Sequence, residues 1–347
     1  MCSPSRVGTL SDKFVFQQGG RALLLACSLL GCLTSFQAPA QTQSPTPANA
    51  YPTRPVHVVI PLGPGNSAEV VTRLVAQKLS IALGQPFVIE PQPGAAGAIG
   101  TGHVARSPAD GYTLLAATDG VMAALPSFRA DLPFNPIRDF VPIAQMAGIP
   151  FALIAHPSVR ASSVHQLIDM AKAEPGKIDF SSGGNGSAQQ LVMSMFMTAT
   201  GTRFTHVPYK GAPQAAMDVV SGQIPIAFAG VPIVAEFIKD GRLRGLAVAS
   251  DQRLASLPHV PTLKEQGIPL QFATWVGLFA PSGTPRDVIA FLNGHVRAII
   301  EDPDFRKRMI ELGGEPVGSS PEELDARLKS DIALWAAVVK KVGLEPQ

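Results

Sequence analysis

Three short glycine-rich stretches carry residue types able to hold an anion. The first is Gly63-Pro64-Gly65-Asn66-Ser67-Ala68-Glu69, entered from the apolar run Val58-Val59-Ile60-Pro61-Leu62. The second is Thr118-Asp119-Gly120, at the end of the apolar run that starts at Tyr112. The third is Ser182-Gly183-Gly184-Asn185-Gly186-Ser187, followed by an apolar helical pattern from Ala188 to Thr200 that includes Gln190. A strand ending in such a turn and leading into a helix leaves bare N–H groups and a partial positive charge at the helix start. In open α/β sheets, ligands sit outside the carboxyl ends of the strands. Two such turns facing each other would clamp a small carboxylate, whereas either alone is equally a tight strand-to-helix connection.

The first stretch also reads as G-x-G-x-x-A with Glu90 closing the next strand, which is nearly the full dinucleotide fingerprint. Pro64 stiffens the turn between its two glycines, and the export signal described below removes the chain from the cytoplasmic nicotinamide pool. Other catalytic patterns are sparse. There is no G-x-S-x-G nucleophile elbow, and the seven histidines show neither H-x-x-x-H nor H-E-x-x-H metal spacing. No cofactor and no metal are expected. His156 and His206 read as hydrogen-bonded structural residues, Trp275 and Trp335 as core, and the run Asp302, Asp304, Arg306, Lys307, Arg308 as a solvated helix face.

The elements that must position these turns alternate along the chain. Val56–Ile60 is a β-branched run typical of a buried parallel strand. Ser67–Leu83 has helical apolar spacing, with Ser67 as the expected N-cap and Gly84 just past the end. Further strands are expected at 86–90, 112–118, 151–156, 178–181, 204–207, 224–228 and 246–250. Ser163 with Gln166 and Thr262 with Glu265 fit capping boxes. Thr284-Pro285 fits a cap before a first-turn proline, and Ser320-Pro321-Glu322-Glu323 fits both patterns before an amphipathic run to about residue 342. Strand–helix alternation implies crossover connections and a largely parallel sheet.

The 347 residues carry a formal net charge of only +2, too little to argue for nucleic acid or an anionic membrane, and 46% of them are hydrophobic, enough for a large core. Gly and Pro, at 32 each, punctuate apolar segments as α/β turns do. Near the N-terminus, Arg21 precedes the apolar run 22–33, and Ala38-Pro39-Ala40 follows. That is a signal-peptide pattern over residues 1–40, with an apolar run far short of the about 20 residues a bilayer needs. A polar leader is expected at 41–50. Cys2, Cys27 and Cys32 all fall in the segment expected to be removed, so the mature chain needs no disulfide. Leu29-Leu30-Gly31-Cys32 also reads as a lipobox, which would instead anchor Cys32 to lipid. The segment before Arg21 is long and leaves the true translation start open. Either processing route places the protein in the periplasm. Roughly 300 mature residues exceed one ordinary domain, so two α/β domains with a cleft between them are expected.

Read together, the motifs resemble the extracytoplasmic solute receptors called Bug proteins, the binding components of tripartite tricarboxylate transporters. The resemblance rests on "YPTRPVHVVIP", "RLVAQKLSIALGQPFVIEPQPGAAGAIG", "ADGYTLLAATDG", "FSSGGNGSAQQL", "HVPYKGAPQAAMDVVSGQIPIAF", "GRLRGLAVAS", "LPHVPTLKEQG" and "APSGTPRDVI", and it runs from Tyr51 to about Gly343. It implies a periplasmic-binding-protein fold of two doubly wound α/β domains, 51–152 plus 273–347 and 153–272, joined by two crossing strands at 151–156 and 275–280. It also implies a monomer that performs no catalysis and closes on a small carboxylate for membrane permease subunits or a sensor protein. In the family, backbone N–H groups, hydroxyls and ordered water hold the ligand. The matching positions are Leu62 to Glu69, Thr118 with Asp119, and Ser182 to Ser187. The chain departs from the usual Phe-x-Pro-Gly-Gly-x-x-Asp at Leu62–Glu69. It has Gln190 where a His is frequent and Ala229 where an Asp is frequent. Loss of that Asp argues for a carboxylate without an ammonium group. The rival readings are an exported α/β enzyme, nucleotide-dependent or hydrolytic, and a receptor acting only in signalling.

Overall fold

The structure is a computed structural model that describes residues 51–342. The expected signal peptide, the leader and Cys32 lie outside the described residues. The strands are β1 (Val56–Ile60), β2 (Phe87–Pro91), β3 (Thr113–Thr118), β4 (Phe140–Ala155), β5 (Asp179–Ser182), β6 (Thr205–Pro208), β7 (Ile226–Gly230), β8 (Arg244–Val248), β9 (Ala273–Pro281) and β10 (Glu315–Pro316). The helices are α1 (Ser67–Leu83), α2 (Ala98–Ala105), α3 (Leu125–Phe128), α4 (Val164–Ala173), α5 (Ala188–Thr200), α6 (Ala212–Val220), α7 (Val231–Lys239), α8 (Arg286–Glu301), α9 (Pro303–Glu311) and α10 (Pro321–Val342). Among the described residues, no helix is long and apolar enough to cross a membrane.

The strands follow the order β2-β1-β3-β9-β4-β7-β5-β6, with β10 and β8 also paired to β4. β1 runs parallel to β2 and β3, and β5 runs parallel to β6 and β7. The two parallel groups are joined through antiparallel pairings of β9 and β4. β4 is the long element, and its partners change along it. Residues Phe140–Pro150 pair with β9, and Phe151–Ala155 pair with β7 and β8. The sequence pattern marks only its second part, 151–156. The first part was missed because Pro142 and Pro150 interrupt the apolar run and read as breakers. The register shifts between Pro142 and Ala144 and between Gln145 and Ala147 show how the strand accommodates the irregularity, by bulging rather than ending.

This is a two-domain α/β architecture of the periplasmic-binding type. β4 runs through both groups of strands, but the expected crossing at 275–280 does not, since β9 pairs throughout with β3 and the first part of β4. Both faces of each parallel group are covered. Val75 and Leu79 of α1 pack with Ile60 and Leu114 in one half, while Phe196 of α5 packs with Phe180 and Phe228 in the other, all nearly inaccessible to solvent. Trp275 and Trp335 are core residues as expected, exposed by 1% and 5%.

Local signals fixed several helix ends. Ser163 and Ser320 cap α4 and α10, each accepting the N–H three residues on. Thr262 and Glu265 do form the reciprocal pair of a capping box, but it closes a hydrogen-bonded turn, not a helix. Thr284 does not cap α8: its hydroxyl donates backward to Pro281 O, and the helix begins after Pro285.

Candidate functional site

The first turn is closed by side chains that were not expected to share the task. Asn66, not Ser67, is the N-cap of α1: its backbone is extended (φ −77°, ψ 162°) and its Oδ1 accepts from Glu69 N–H at 3.0 Å. The same amide donates through Nδ2 to Gly63 O, so one side chain ties the turn in both directions. Glu69 folds back over the turn. Its Oε2 accepts from Gly65 N–H at 2.6 Å, and its other oxygen pairs with Arg73. Gly65 sits at φ +79°, where a Cβ is strained. The N–H groups of Ser67 and Ala68, first in the helix, have no protein partner among the described residues, as helix geometry requires.

The second turn is built the same way. Ser187 caps α5 by accepting from Gln190 N–H, and Gln190 Oε1 accepts from Gly186 N–H at 2.7 Å. Gly186, like Gly65, has positive φ, +76°. The Gln190 amide, held in that orientation, presents Nε2 to His206 Nδ1 at 3.3 Å. An amide NH₂ only donates, so Nδ1 accepts and the imidazole is the neutral Nε2–H tautomer. Its Nε2–H donates to Ser182 Oγ at 2.6 Å, and that hydroxyl donates to Gly184 O at 3.1 Å. Burial pushes the His206 pKa below its ordinary value, which agrees with the neutral form, and Phe180 stacks on the ring at 4.9 Å. The turn is therefore a finished hydrogen-bonded unit. Ala188 and Gln189, at the start of α5, keep N–H groups without a protein partner among the described residues.

Both turns approach the start of α6: a methyl group on Gly183 would stand 3.0 Å from Ala212 N. A methyl group on Gly65 would stand 3.7 Å from Pro213 at the start of α6, and one on Gly230, at the end of β7, only 2.6 Å from Ser67 Oγ. A methyl on Gly186 would meet the Phe128 ring at 3.8 Å. Leu62 is half-buried against the core, and Pro64 and Asn185 are exposed. Thr118 ends β3, half-buried, with its hydroxyl near Gly120.

Two expected residues stand apart. Ala229 is buried in an apolar cluster with Ala152, Val219 and Val234. Asp119 turns toward α10, not toward the turns. It is 5% exposed, and its Oδ1 has no hydrogen-bond partner among the described residues. Burial, followed by the charge of Asp331, raises its pKa to about 7, although the N–H groups of Gly120 and Trp275 and the Arg327 charge act the other way. Asp331 in turn accepts from Trp275 Nε1 at 2.7 Å and from Arg327 Nε at 2.8 Å. Sequence reasoning missed the Arg327–Asp331–Trp275 group and the contacts of Phe128, Pro213 and Gly230, because they join residues far apart in the chain. Of the residues expected to bind, only Asp119 borders the cavity of about 720 Å³ that opens between α5, the 249–256 loop and α10. Among the described residues no cluster of His, Cys, Asp or Glu could hold a metal.

Helix N-termini with free N–H groups, one in each half of a two-domain α/β fold, are a feature suited to binding an anionic solute. Residues 71–344 match the tripartite tricarboxylate transporter family receptor, and the chain belongs to that family of Bug-type solute-binding receptors, which are not enzymes. It is 34% identical to Protein BugT of Bordetella pertussis over 317 residues, 91% of this chain and 97% of that one. Among solved structures it is similar to R. palustris Rpa4515 with adipate, at a TM-score of 0.82 and 33% identity, covering 86% of this chain and all of that one. It is also similar to MatC from Rhodopseudomonas palustris with bound malate, at a TM-score of 0.76 and 28% identity, covering 83% of this chain and all of that one.

Proposed function

We propose that the protein is a periplasmic receptor, exported by the signal peptide at 1–40, that captures a small dicarboxylate between the turns Leu62–Glu69 and Ser182–Ser187 and delivers it to membrane permease subunits. The observation that carries this reading is a pair of helix starts, one in each half, whose turns both approach the start of α6. Ser67 and Ala68 on one side and Ala188 and Gln189 on the other each present two N–H groups with no protein partner among the described residues. Each pair matches one carboxylate. The side chains that close the turns, Glu69 and Gln190, satisfy the glycine N–H groups one step before the caps, so the turns keep their shape with or without ligand. Arg73 neutralises Glu69, leaving the first site fit for an anion. The Ser67 and Thr118 hydroxyls complete the polar lining. In this reading the domains are 51–152 plus 273–347 and 153–272, and they close by bending at 151–152 and 272–273. The ligands named for the two solved relatives, adipate and malate, are of the same chemical class. With Ala229 buried and apolar, nothing at that position would meet an ammonium group.

Isothermal titration of the mature protein with succinate, malate, adipate, aspartate and glutamate tests the reading. The expected result is saturable binding of at least one dicarboxylate and none of the amino acids. Tight binding of aspartate or glutamate alone would overturn it.

A further inference from the structure

The two glycine-rich turns are braced at the same place by different chemistry. In the first, Glu69 Oε2 accepts from Gly65 N–H, and Arg73 balances the charge. In the second, the neutral Gln190 Oε1 accepts from Gly186 N–H at 2.7 Å. A carboxylate offers acceptors on both sides, whereas an amide offers an acceptor on one side and a donor on the other. The Gln190 brace therefore needs a group that fixes which way the amide is turned. Among the described residues that group is His206, whose Nδ1 lies 3.3 Å from Gln190 Nε2.

His206 can do this only while it is neutral. Its Nε2–H is committed to Ser182 Oγ at 2.6 Å, so Nδ1 is the atom that takes up a proton. Once protonated, Nδ1–H is a donor facing the donor NH₂ of Gln190. Turning the amide over relieves that clash but aims NH₂ at Gly186 N–H, which then has no acceptor. One proton thus removes the brace one residue before the Ser187 cap.

No neighbouring charge offsets this. α5 carries no ionisable side chain. On β5, Phe180 stacks on the ring and Ser182 accepts from it. Asp179 lies on the opposite face of β5, with Ser181, which bonds to α6. Arg203 and Lys210, which flank β6, are exposed. Burial is what holds the His206 pKa below its ordinary value.

We propose that His206 is a positioning residue of the second turn. Resting on the clamp reading above, its neutral imidazole holds the Gln190 amide on Gly186, and a proton at Nδ1 reverses that amide, releases Gly186 N–H and weakens ligand capture.

The test reads the turn and the ligand separately. In nuclear magnetic resonance of the ligand-free mature protein, the His206 ring should titrate from the Nε2–H tautomer, below the ordinary histidine value of 6.5. The Gly186 amide proton should shift with the same midpoint as its hydrogen bond is lost. The Gly65 amide, held by Glu69, is the internal control and should not follow that midpoint. Malate affinity is then measured by isothermal titration at about pH 8 and about pH 5. His206→Asn keeps an acceptor where Nδ1 stands and takes up no proton, so comparison with it cancels the protonation of malate itself. Acidification should weaken malate at least about fivefold more in the unaltered protein than in His206→Asn, which is about 1 kcal/mol. His206→Gln keeps a donor toward Ser182 but no acceptor toward Gln190, and should bind more weakly than His206→Asn at both pH values. A Gly186 amide that ignores the His206 titration, or equal pH dependence in the unaltered protein and His206→Asn, overturns the proposal. If malate binds at neither pH while the Gly186 amide follows His206, the positioning of Gln190 stands and the clamp reading falls.

Discussion

Glu69 and Gln190 hold equivalent posts. Each is the third residue of its helix, and each spends its side chain on a glycine N–H four positions back. This is the logic of a capping box applied one residue early, and it frees the first two helical N–H groups for a ligand. A test at this scale separates charge from backbone strain. Asp and Asn tolerate the left-handed region about equally, so Gly186→Asp and Gly186→Asn should destabilise alike, by roughly 1 kcal/mol. Only the Asp variant sets a carboxylate against a bound anion, and it should lose at least about tenfold more affinity than the Asn variant by isothermal titration. Asp119 makes a second prediction. Its folded-state pKa, about 7, lies above the ordinary 3.8, so the folded chain holds a proton that the unfolded chain has released. Its contribution is complete below about pH 4 and is lost as pH rises to about 7. Denaturant midpoints at about pH 4.5 and pH 8 should show a decline that Asp119→Asn reduces.

At the scale of elements, α1 depends on a cap that also shapes the site. Asn66→Ala removes both the Glu69 N–H acceptor and the tie to Gly63. It should cost roughly 1 kcal/mol of stability, read by chemical denaturation, and a larger share of ligand affinity, since the turn loses its brace. β4 is the element that makes two domains into one machine. Its first part belongs to one group of strands and its second to the other, so the chain between Pro150 and Ala152 is where a bend would act.

In the whole molecule the two halves meet closely where Gly230, at the end of β7, approaches Ser67 at the start of α1. Ligand should stabilise that arrangement, giving a smaller radius of gyration in small-angle scattering at saturation. Gly230→Val would place carbon within the space of Ser67 Oγ and against Ile149, wedging the halves apart. In that variant the ligand-induced contraction should vanish and affinity fall by about tenfold or more. Contraction equal to that of the unaltered protein would show that closure does not pass through this contact.

The alternation of strands and helices, the span Ser67–Leu83 of α1, the αL glycine after it and the three glycine-rich turns were legible in the sequence, because they follow from periodicity and from local backbone chemistry. The choice of Asn66 over Ser67 as cap was not, since both residues favour that role and the deciding bond runs to Gly63. The first part of β4 was hidden by its prolines, and the failure of Thr262 to start a helix by a capping pair that serves a turn equally well. Asp119 shows the limit most clearly. Its place at the end of a strand beside a glycine suggested a ligand contact at the turns, yet its side chain faces Asp331 and Arg327 of α10, some two hundred residues later in the chain. The sequence by itself determined the elements and the anion-ready helix starts, which depend on near neighbours. Which elements meet at the start of α6, how deeply the Asp119 carboxyl is buried and where the cavity opens were decided by the tertiary structure alone, because desolvation and charge act through space between residues that sequence separation does not relate.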